Sequence, residues 1–271
     1  FQNHGIDITK DPLEIAVCAQ HNNGGLVGNI WWESTNIKHL FPVGEVNGSH
    51  SIYRPGGSAL NSGQVAGFRV AEYIANRYGD WTVVKSDVKN SVKSAVNYIG
   101  GWIEKCAGAR RSWQENRREF QERMTLAGAN IRSSAVISKA VSEAWAQWRH
   151  LEVSGCAFSS PVEKVEALRN RHLCFAHAVY LESILFEVQS SVGSRGSSIA
   201  LDGKGMPIHA RLGEEWSMVP ENIEFRECVL ETVAAPEEKV QHEWVPRRPV
   251  PQEKTWFETG WAHFRDGKIY D

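Results

Sequence analysis

The chain has 271 residues and a formal net charge of −2, with 30 basic side chains against 32 acidic ones. Its composition, 42% hydrophobic and 23% charged, is that of a globular protein with room for one large domain or two. The nearly balanced charge and the dispersed Lys and Arg residues argue against a nucleic-acid-binding protein. No uninterrupted apolar run approaches the roughly 20 residues that cross a bilayer, so no direct membrane span is predicted.

The five cysteines are far apart in sequence and form no C-x-x-C pair; they are Cys18, Cys106, Cys156, Cys174 and Cys228. This spacing predicts neither a disulfide framework nor a zinc or iron–sulfur site, so no metal is expected. It favours reduced thiols and a cytoplasmic location. The first ten residues contain neither a signal-peptide core nor an initiator Met, and we expect a cut or processed N-terminus.

A glycine-rich segment, residues 21–67, concentrates the groups that suit a ligand site. The Gly24-Gly25 pair permits positive φ angles and close approach of a ligand. The apolar run from Ile37 to Val43 predicts a strand that ends in a ligand-facing turn at Gly44-Glu45. His50 follows this turn, and its role is left open.

A second tight turn, Arg54-Pro55-Gly56-Gly57, precedes a predicted helix. Asn61 or Ser62 offers a cap, and the apolar positions of the helix are Val65, Phe68, Val70 and Ile74. Backbone N–H groups at such a helix start favour an acceptor or a partial negative charge.

These motifs resemble a segment of the fumarate reductase and succinate dehydrogenase flavoprotein family, which also includes L-aspartate oxidase. In that family a His opens an H-x-x-x-G-G turn, a strand ends in G-E, and N-R-L-G-G-N-S-L leads into a helix. The matching stretches here are His21 to Gly25, Val43 to Glu45 and Tyr53 to Leu60, in the same order and at similar spacing. Three ordered motifs are more specific than one Gly-Gly turn.

The resemblance implies that the intact protein uses FAD and acts on a small carboxylic acid. It assigns the substrate carboxylate to His21 and Arg54. It assigns FAD to Glu45, through a ribose, and to the helix start, where the residues concerned are Ser58, Ala59 and Leu60.

Each assignment has a structural alternative. His21 suits a turn histidine that bonds nearby backbone, and Arg54 suits a surface ion pair. Glu45 suits a solvated acid at a strand end, while Ala59 and Leu60 suit simple packing at the start of the helix.

The sequence has no G-x-G-x-x-G turn, which a complete dinucleotide-binding flavoprotein needs. The family also takes its proton-transferring Arg from a capping domain, which would precede Phe1, so no catalytic residue is assigned within this chain. We therefore expect the C-terminal portion of a larger flavoprotein, inactive alone, with FAD absent or weakly bound. Its expected partners are the upstream FAD-binding and capping domains and an electron-transfer partner.

Helical patterns dominate the middle of the chain. An apolar face recurs from about Ser86 to Cys106, at Val88, Val92, Ala95, Ile99 and Trp102. The Arg-rich stretch from Arg110 to Leu126 predicts a partly solvated helix, and residues 133–151 predict a well-buried one.

The longest predicted helix runs from Pro161 to about Val192, with Ser160 as its cap, and would be about 45 Å long. His172 falls on its apolar stripe, which favours a buried, satisfied histidine over a ligand. Ser194-Arg195-Gly196 matches the Ser-Arg-Gly core of the family's E-S-R-G-A-H-x-R motif. The flanking Glu and His are replaced, which indicates a divergent branch.

Residues beyond Ser198 show extended patterns. Hairpins are predicted at residues 199–208 and 264–269, and strands at 225–233 and 240–245. Together the patterns predict an α+β, mainly α chain. Residues 1–80 would complete an FAD-binding α/β domain, 81–198 form a helical bundle, and 199–271 form an extended, β-hairpin tail that packs on the bundle.

Two other interpretations stay open at this point. The chain could be a helical interaction module or one subunit of a split flavoprotein, without redox activity of its own. It could also be a structural protein with degenerate flavin motifs. The substrate, the direction of reaction and the electron partner are not fixed by the sequence.

Overall fold

The structure is a computed structural model that describes residues 2–10, 24–50, 56–196, 198–235, 239–249 and 256–268. It is about 55% helical with small sheets, which confirms the α+β, mainly α prediction. The chain divides into an N-terminal unit, Phe1–Glu72, and a C-terminal unit, Tyr73–Asp271. The predicted division at residues 80 and 198 stays a prediction.

The N-terminal unit contains loops and one helix among its described residues. The predicted strand from Ile37 to Val43 is wrong, because this stretch is irregular and runs into a 3-10 turn at Gly44–Val46. Part of this stretch belongs to a closed loop, since the Ser34 N–H donates to the Leu40 carbonyl at 2.8 Å. A chain that satisfies its backbone locally in this way is not free to join a sheet.

Helix α1 (Ser58–Arg77) confirms the predicted helix but begins before the predicted caps. Gly57 has a φ of +80°, and this left-handed residue turns the chain directly into the helix. Asn61 and Ser62 therefore lie inside the first turns. The buried apolar side chains of this helix are Ala66 and Val70.

The C-terminal unit is built on a helical bundle. Helix α4 (Ser134–Ser154) packs along α5 (Pro161–Gln189), and the predicted apolar stripe of α4 is buried as expected. Its buried residues include Ile137, Ala144 and Leu151, and Trp145 and Trp148 widen the stripe.

Helix α2 (Lys85–Cys106) has the predicted bounds but only part of the predicted burial. Trp102 and Cys106 are buried in the bundle core, whereas the earlier stripe positions Val88, Val92 and Ile99 are exposed. The periodicity thus identified the helix correctly and overstated how much of its face the described chain covers.

Helix α3 (Trp113–Arg123) begins with a capping box in which Ser112 and Glu115 satisfy each other's backbone N–H groups. A π-helical segment, Met124–Gly128, continues it. The expectation of a solvated Arg-rich face fails at Arg123, which is only 8% exposed.

Helix α5 is capped as predicted, because the Ser160 Oγ accepts from the Glu163 N–H at 3.2 Å. The prediction of a buried His172 is wrong: His172 is exposed and His177 is buried. The buried face of α5 follows Asn170, Cys174 and Ala178, which places position 172 on the opposite side of the helix.

One cation links three of these helices. The Arg171 guanidinium forms a two-pronged ion pair with Glu152 at 2.5 and 2.9 Å. It also lies 4.9 Å from the Tyr98 ring centroid, 5.6 Å from that of Trp102 and 5.8 Å from that of Trp148. Such contacts stabilise a guanidinium that packing has removed from water.

Two small sheets complete the described chain. Strand β2 (Ile199–Pro207) pairs in parallel with β1 (Ile131–Arg132) and antiparallel with β3 (Ser217–Met218). The predicted hairpin at 199–208 is wrong, because Leu201 and Met206 both pair with Met218 and the residues between them form a bulge in one strand.

The predicted strands at 225–233 and 240–245 are confirmed as the antiparallel pair β4 (Cys228–Ala234) and β5 (Val240–Pro246), except that residues 225–227 belong to a 3-10 helix, Ile223–Glu227. His242 of β5 stacks on Phe186 of α5 with ring centroids 4.6 Å apart. The second predicted hairpin is wrong, since Phe264 and Arg265 end helix α6 (Trp256–Arg265).

Candidate functional site

The Gly-Glu motif forms an exposed turn in the N-terminal unit. Gly44 has a φ of +79°, and the Asn47 N–H closes the turn on the Gly44 carbonyl at 3.0 Å. A Cβ added to Gly63 of α1 would lie 3.5 Å from the Gly44 Cα. The turn that carries the Glu45 carboxylate therefore rests on the second turn of α1.

The Gly24-Gly25 motif lies against the same turn. The Leu26 N–H donates to the Val46 carbonyl at 2.8 Å, and the Gly48 N–H donates to the Leu26 carbonyl at 3.0 Å. A Cβ at Gly25 would be 2.5 Å from the Val46 oxygen, so no larger residue fits there without a shift of backbone. Glycine is needed here for close chain approach.

The third motif opens helix α1. A Cβ at Gly56 or Gly57 would meet no atom within 4 Å, so the space beside this turn is open in the described structure. Ser58, Ala59 and Leu60 are the first three helical residues, and their backbone N–H groups point along the helix axis toward its N-terminal end. They face the end of the helix where an acceptor or negative charge is favoured.

This arrangement fits parts of FAD. An exposed carboxylate beside a glycine turn can accept hydrogen bonds from ribose hydroxyls, and first-turn amides can donate to flavin oxygens. The structure brings Glu45 close to the helix that begins at Ser58. His21 and Arg54, the predicted carboxylate-binding pair, lie outside the described residues.

His50 is a feature whose importance the sequence left undecided. Its side chain is buried, and its Nε2 has no hydrogen-bond partner in the part of the chain that the structure describes. A buried polar atom without a partner costs about 1–3 kcal/mol. His50 follows the Gly44–Val46 turn by four residues, so this atom is a candidate to meet a ligand group at the same site.

The bundle holds a second polar cluster, which is satisfied internally. Arg123 donates to the Gln147 Oε1 at 2.8 Å, pairs with Glu119, and lies 3.4 Å from the His177 Nε2. Burial, with the nearby Arg123 charge, lowers the pKa of His177 to about 4. Within the described residues, no group of three or more His, Cys, Asp or Glu side chains is placed to hold a metal ion.

Comparison with known proteins bears on this site. No protein-family model matches the chain. It is 35% identical over 105 residues to one subunit of the CoM/CoB fumarate reductase of Methanothermobacter marburgensis, covering 38% of this chain and 17% of that protein. It is 37% identical over 108 residues to an FAD-dependent oxidoreductase of Methanocaldococcus jannaschii, covering 36% of this chain and 20% of that protein.

The chain thus has one homologue named as a fumarate reductase subunit and one named as an FAD-dependent oxidoreductase. Its fold matches a mutant FrdA protein of the Escherichia coli quinol fumarate reductase with a TM-score of 0.70 and 17% identity, over 93% of this chain and 41% of that one. The matched region is the C-terminal part of the flavoprotein, and the chain spans about a fifth of the length of the two sequence relatives.

No helix among the described residues combines the length and the hydropathy that a membrane crossing requires. The fold comparison, at its low sequence identity, concerns architecture alone. The roles of the individual site residues therefore rest on their own geometry and on the motif resemblance.

Proposed function

We propose that this chain supplies one side of the cofactor and substrate site of an FAD-dependent oxidoreductase that acts on a carboxylic acid. The observation that carries the proposal is the contact between the Glu45 turn and helix α1 through Gly44 and Gly63. It joins two separate motifs of the glycine-rich segment, both of which suit FAD.

The described residues would hold the cofactor by complementary polarity. The Glu45 carboxylate accepts hydrogen bonds from ribose hydroxyls. The backbone N–H groups of Ser58, Ala59 and Leu60 donate toward the flavin and favour negative charge there. When bound, FAD supplies hydride exchange with a carbon of the substrate.

His21 and Arg54 would bind the substrate carboxylate. The planar guanidinium of Arg54 offers two parallel N–H donors to the two carboxylate oxygens, and His21 adds a third donor. Together they favour the negative charge that develops in the transition state. No proton donor is assigned to this chain, so we expect no turnover and little FAD binding from it alone.

Glu45→Gln tests the cofactor assignment. In the flavoprotein reconstituted with its nucleotide-binding and capping parts, we expect FAD affinity to fall by about tenfold, because loss of one charged hydrogen-bond acceptor costs about 1.4 kcal/mol. Flavin fluorescence titration measures the dissociation constant. Glu122→Gln, at an exposed carboxylate of α3, is the control and leaves the affinity unchanged. Unchanged affinity in Glu45→Gln contradicts the assignment.

Arg54→Ala tests the substrate assignment. We expect kcat/KM for the carboxylic acid to fall by roughly 100-fold in the same reconstituted protein, with FAD content unchanged, because about 3 kcal/mol of carboxylate binding is lost. Arg54→Lys restores part of it. Arg110→Ala, at an exposed arginine, is the control. A kcat/KM equal to that of the wild type in Arg54→Ala would show that Arg54 does not bind the substrate carboxylate.

A second candidate function is that of an interaction module or one part of a split flavoprotein. Leu60 and Phe68 of α1 are each 77% exposed, an unusual position for large apolar side chains on a helix. Co-purification of a separate chain with a G-x-G-x-x-G motif favours a split flavoprotein. One longer polypeptide with both parts rejects it.

A further inference from the structure

Two cysteines that are distant in sequence meet at the end of helix α2. Cys106 is the last residue of α2, and Cys156 lies in the loop after α4. A Cβ added to Gly155 would be 2.6 Å from the Cys106 Sγ and 2.9 Å from its Cα. The residue before Cys156 therefore lies directly on Cys106, and both cysteines are buried as free thiols.

The two thiols are in contact but are not equivalent. The Cys106 thiol donates to the Trp102 carbonyl at 3.5 Å. Burial raises the pKa of Cys106, and hydrogen bonding from the backbone and the thiol of Cys156 opposes the rise. Burial and the Cys106 sulfur raise the pKa of Cys156 to about 12. Cys106 is therefore the thiol that ionises first, and Cys156 stays protonated beside it.

Cys106 also has a route to small molecules. It lines an open cavity of about 390 Å³ together with Ile103, Phe158 and Lys164, and Cys156 is not part of that lining. The Lys164 ammonium contributes positive charge, which favours thiolate, and the Glu104 carboxylate on the same wall opposes it. A molecule the size of a peroxide that enters the cavity thus meets Cys106 before Cys156.

We propose that Cys106 and Cys156 form a redox-active dithiol in which hydrogen peroxide oxidises Cys106 and Cys156 then closes a disulfide. The Cys106 thiolate attacks one peroxide oxygen and breaks the O–O bond, which gives a sulfenic acid and, after protonation, water. The Cys156 sulfur then displaces the hydroxyl from the Cys106 sulfur as a second water. Two thiols lose two electrons and two protons, and hydrogen peroxide becomes two waters.

The disulfide would tie the end of α2 to the loop after α4. Because the bond restricts the unfolded chain between positions 106 and 156, the oxidised chain should resist denaturation more than the reduced chain. The bond would be reversible by a thiol, as is usual for a disulfide formed in a reducing compartment.

Peptide mapping of the full chain tests the proposal. The chain is treated with hydrogen peroxide, blocked with N-ethylmaleimide and digested with trypsin without reduction. We expect one linked pair of peptides, residues 106–110 with residues 150–164, and, in a sample taken before blocking, an intact mass lower by two hydrogens. Dithiothreitol reverses both. The urea midpoint rises on oxidation.

Variants separate the two roles. Cys106→Ser and Cys156→Ser each abolish the linked pair, and in Cys156→Ser dimedone labels Cys106, because its sulfenic acid has no resolving thiol. Cys174→Ser and Cys228→Ser are controls and retain the linked pair. Cys174 is the closer match, because it is buried in the same bundle.

Two results would overturn the proposal. One is a wild-type map without the linked pair at peroxide levels that oxidise Cys228. The other is linkage that involves Cys174 or Cys228 as often as Cys106 and Cys156. The wild-type map decides the matter even where a variant fails to fold.

Discussion

His177 is a histidine that the bundle holds without charge. Its imidazole is buried beside the Arg123 guanidinium and 5.9 Å from the Phe120 ring centroid, and no carboxylate bonds it directly in the described structure. Charging it would place a second cation next to Arg123 in a medium that solvates charge poorly. This one residue therefore makes the free energy of unfolding depend on pH.

The pH dependence follows from the direction of the shift. Folding lowers the pKa of His177 from 6.5 to about 4, so the unfolded chain binds this proton at higher pH than the folded chain. The contribution is complete above pH 6.5 and is lost as pH falls toward 4, by about 3 kcal/mol in the free energy of unfolding. Urea titrations at pH 7 and pH 4.5 measure the slope.

His177→Gln should remove most of that slope, whereas His172→Gln, at the exposed histidine of the same helix, should keep it. An equal slope in the wild type and His177→Gln contradicts the prediction. The pair also shows where sequence reasoning reached its limit. Periodicity placed a buried histidine on α5, but only the packing of Asn170 and Cys174 against the bundle determined which histidine it is.

Helix α2 shows how one element divides between a core and an open surface. Its last turns insert Trp102, whose Nε1–H donates to the Leu151 carbonyl of α4 at 3.1 Å. Its earlier turns carry valines that the described chain leaves exposed, and Val92 is 55% exposed. The sequence pattern shows one continuous stripe, because periodicity records polarity and not the presence of a neighbour.

The two halves of α2 should differ in their share of stability. We expect Trp102→Ala to lower the free energy of unfolding by about 3–5 kcal/mol, because it leaves a large cavity in the bundle core and removes the hydrogen bond from Trp102 to the Leu151 carbonyl. Val92→Ala, on the exposed half of the same helix, should change it by less than about 0.5 kcal/mol. Chemical denaturation of both variants measures this. A cost above about 2 kcal/mol for Val92→Ala would show that its face is covered.

The elements that the sequence predicted well are those with local signals. The helix bounds of α2, α4 and α5 followed from caps and periodicity, and β4 and β5 followed from β-branched runs. The predicted strand at 37–43 failed because this stretch bonds within its own loop, and the hairpin at 199–208 failed because both of its arms pair with Met218. The hairpin at 264–269 failed because helix α6 extends to Arg265. The ordered glycine motifs still identified the relatives correctly, since the close approach of Val46 at Gly25 and the positive φ of Gly44 both favour glycine.

At the scale of the whole molecule, apolar burial is uneven. The C-terminal unit has a continuous buried cluster that includes Ile137, Leu151 and Leu181, while the described N-terminal unit buries Ala66 and Val70. Small units that bury little apolar surface are marginal on their own. The Gly44-Glu45 turn and the start of α1 thus lie in the unit whose described residues bury the less apolar surface.

Hydrogen exchange should reveal this difference in the isolated chain. We expect backbone amides of α4 and α5 to exchange slowest, and amides in the first turns of α1 to exchange by local opening at far lower cost. Mass spectrometry of peptides from 58–72 and 137–151 gives the comparison. Equal protection would mean that other residues cover α1. Addition of the nucleotide-binding part of the flavoprotein should slow hydrogen exchange in α1 and leave the exchange rates of α4 unchanged.

The shared cation at Arg171 gives the molecule an optical property. Trp102 and Trp148 lie in a dry core with the same guanidinium near both rings, whereas Trp81 is exposed to water. Indole emission shifts to shorter wavelength in such a core, so Trp102 and Trp148 should emit at shorter wavelength than Trp81. Their emission should shift to longer wavelength when the helices of the bundle separate.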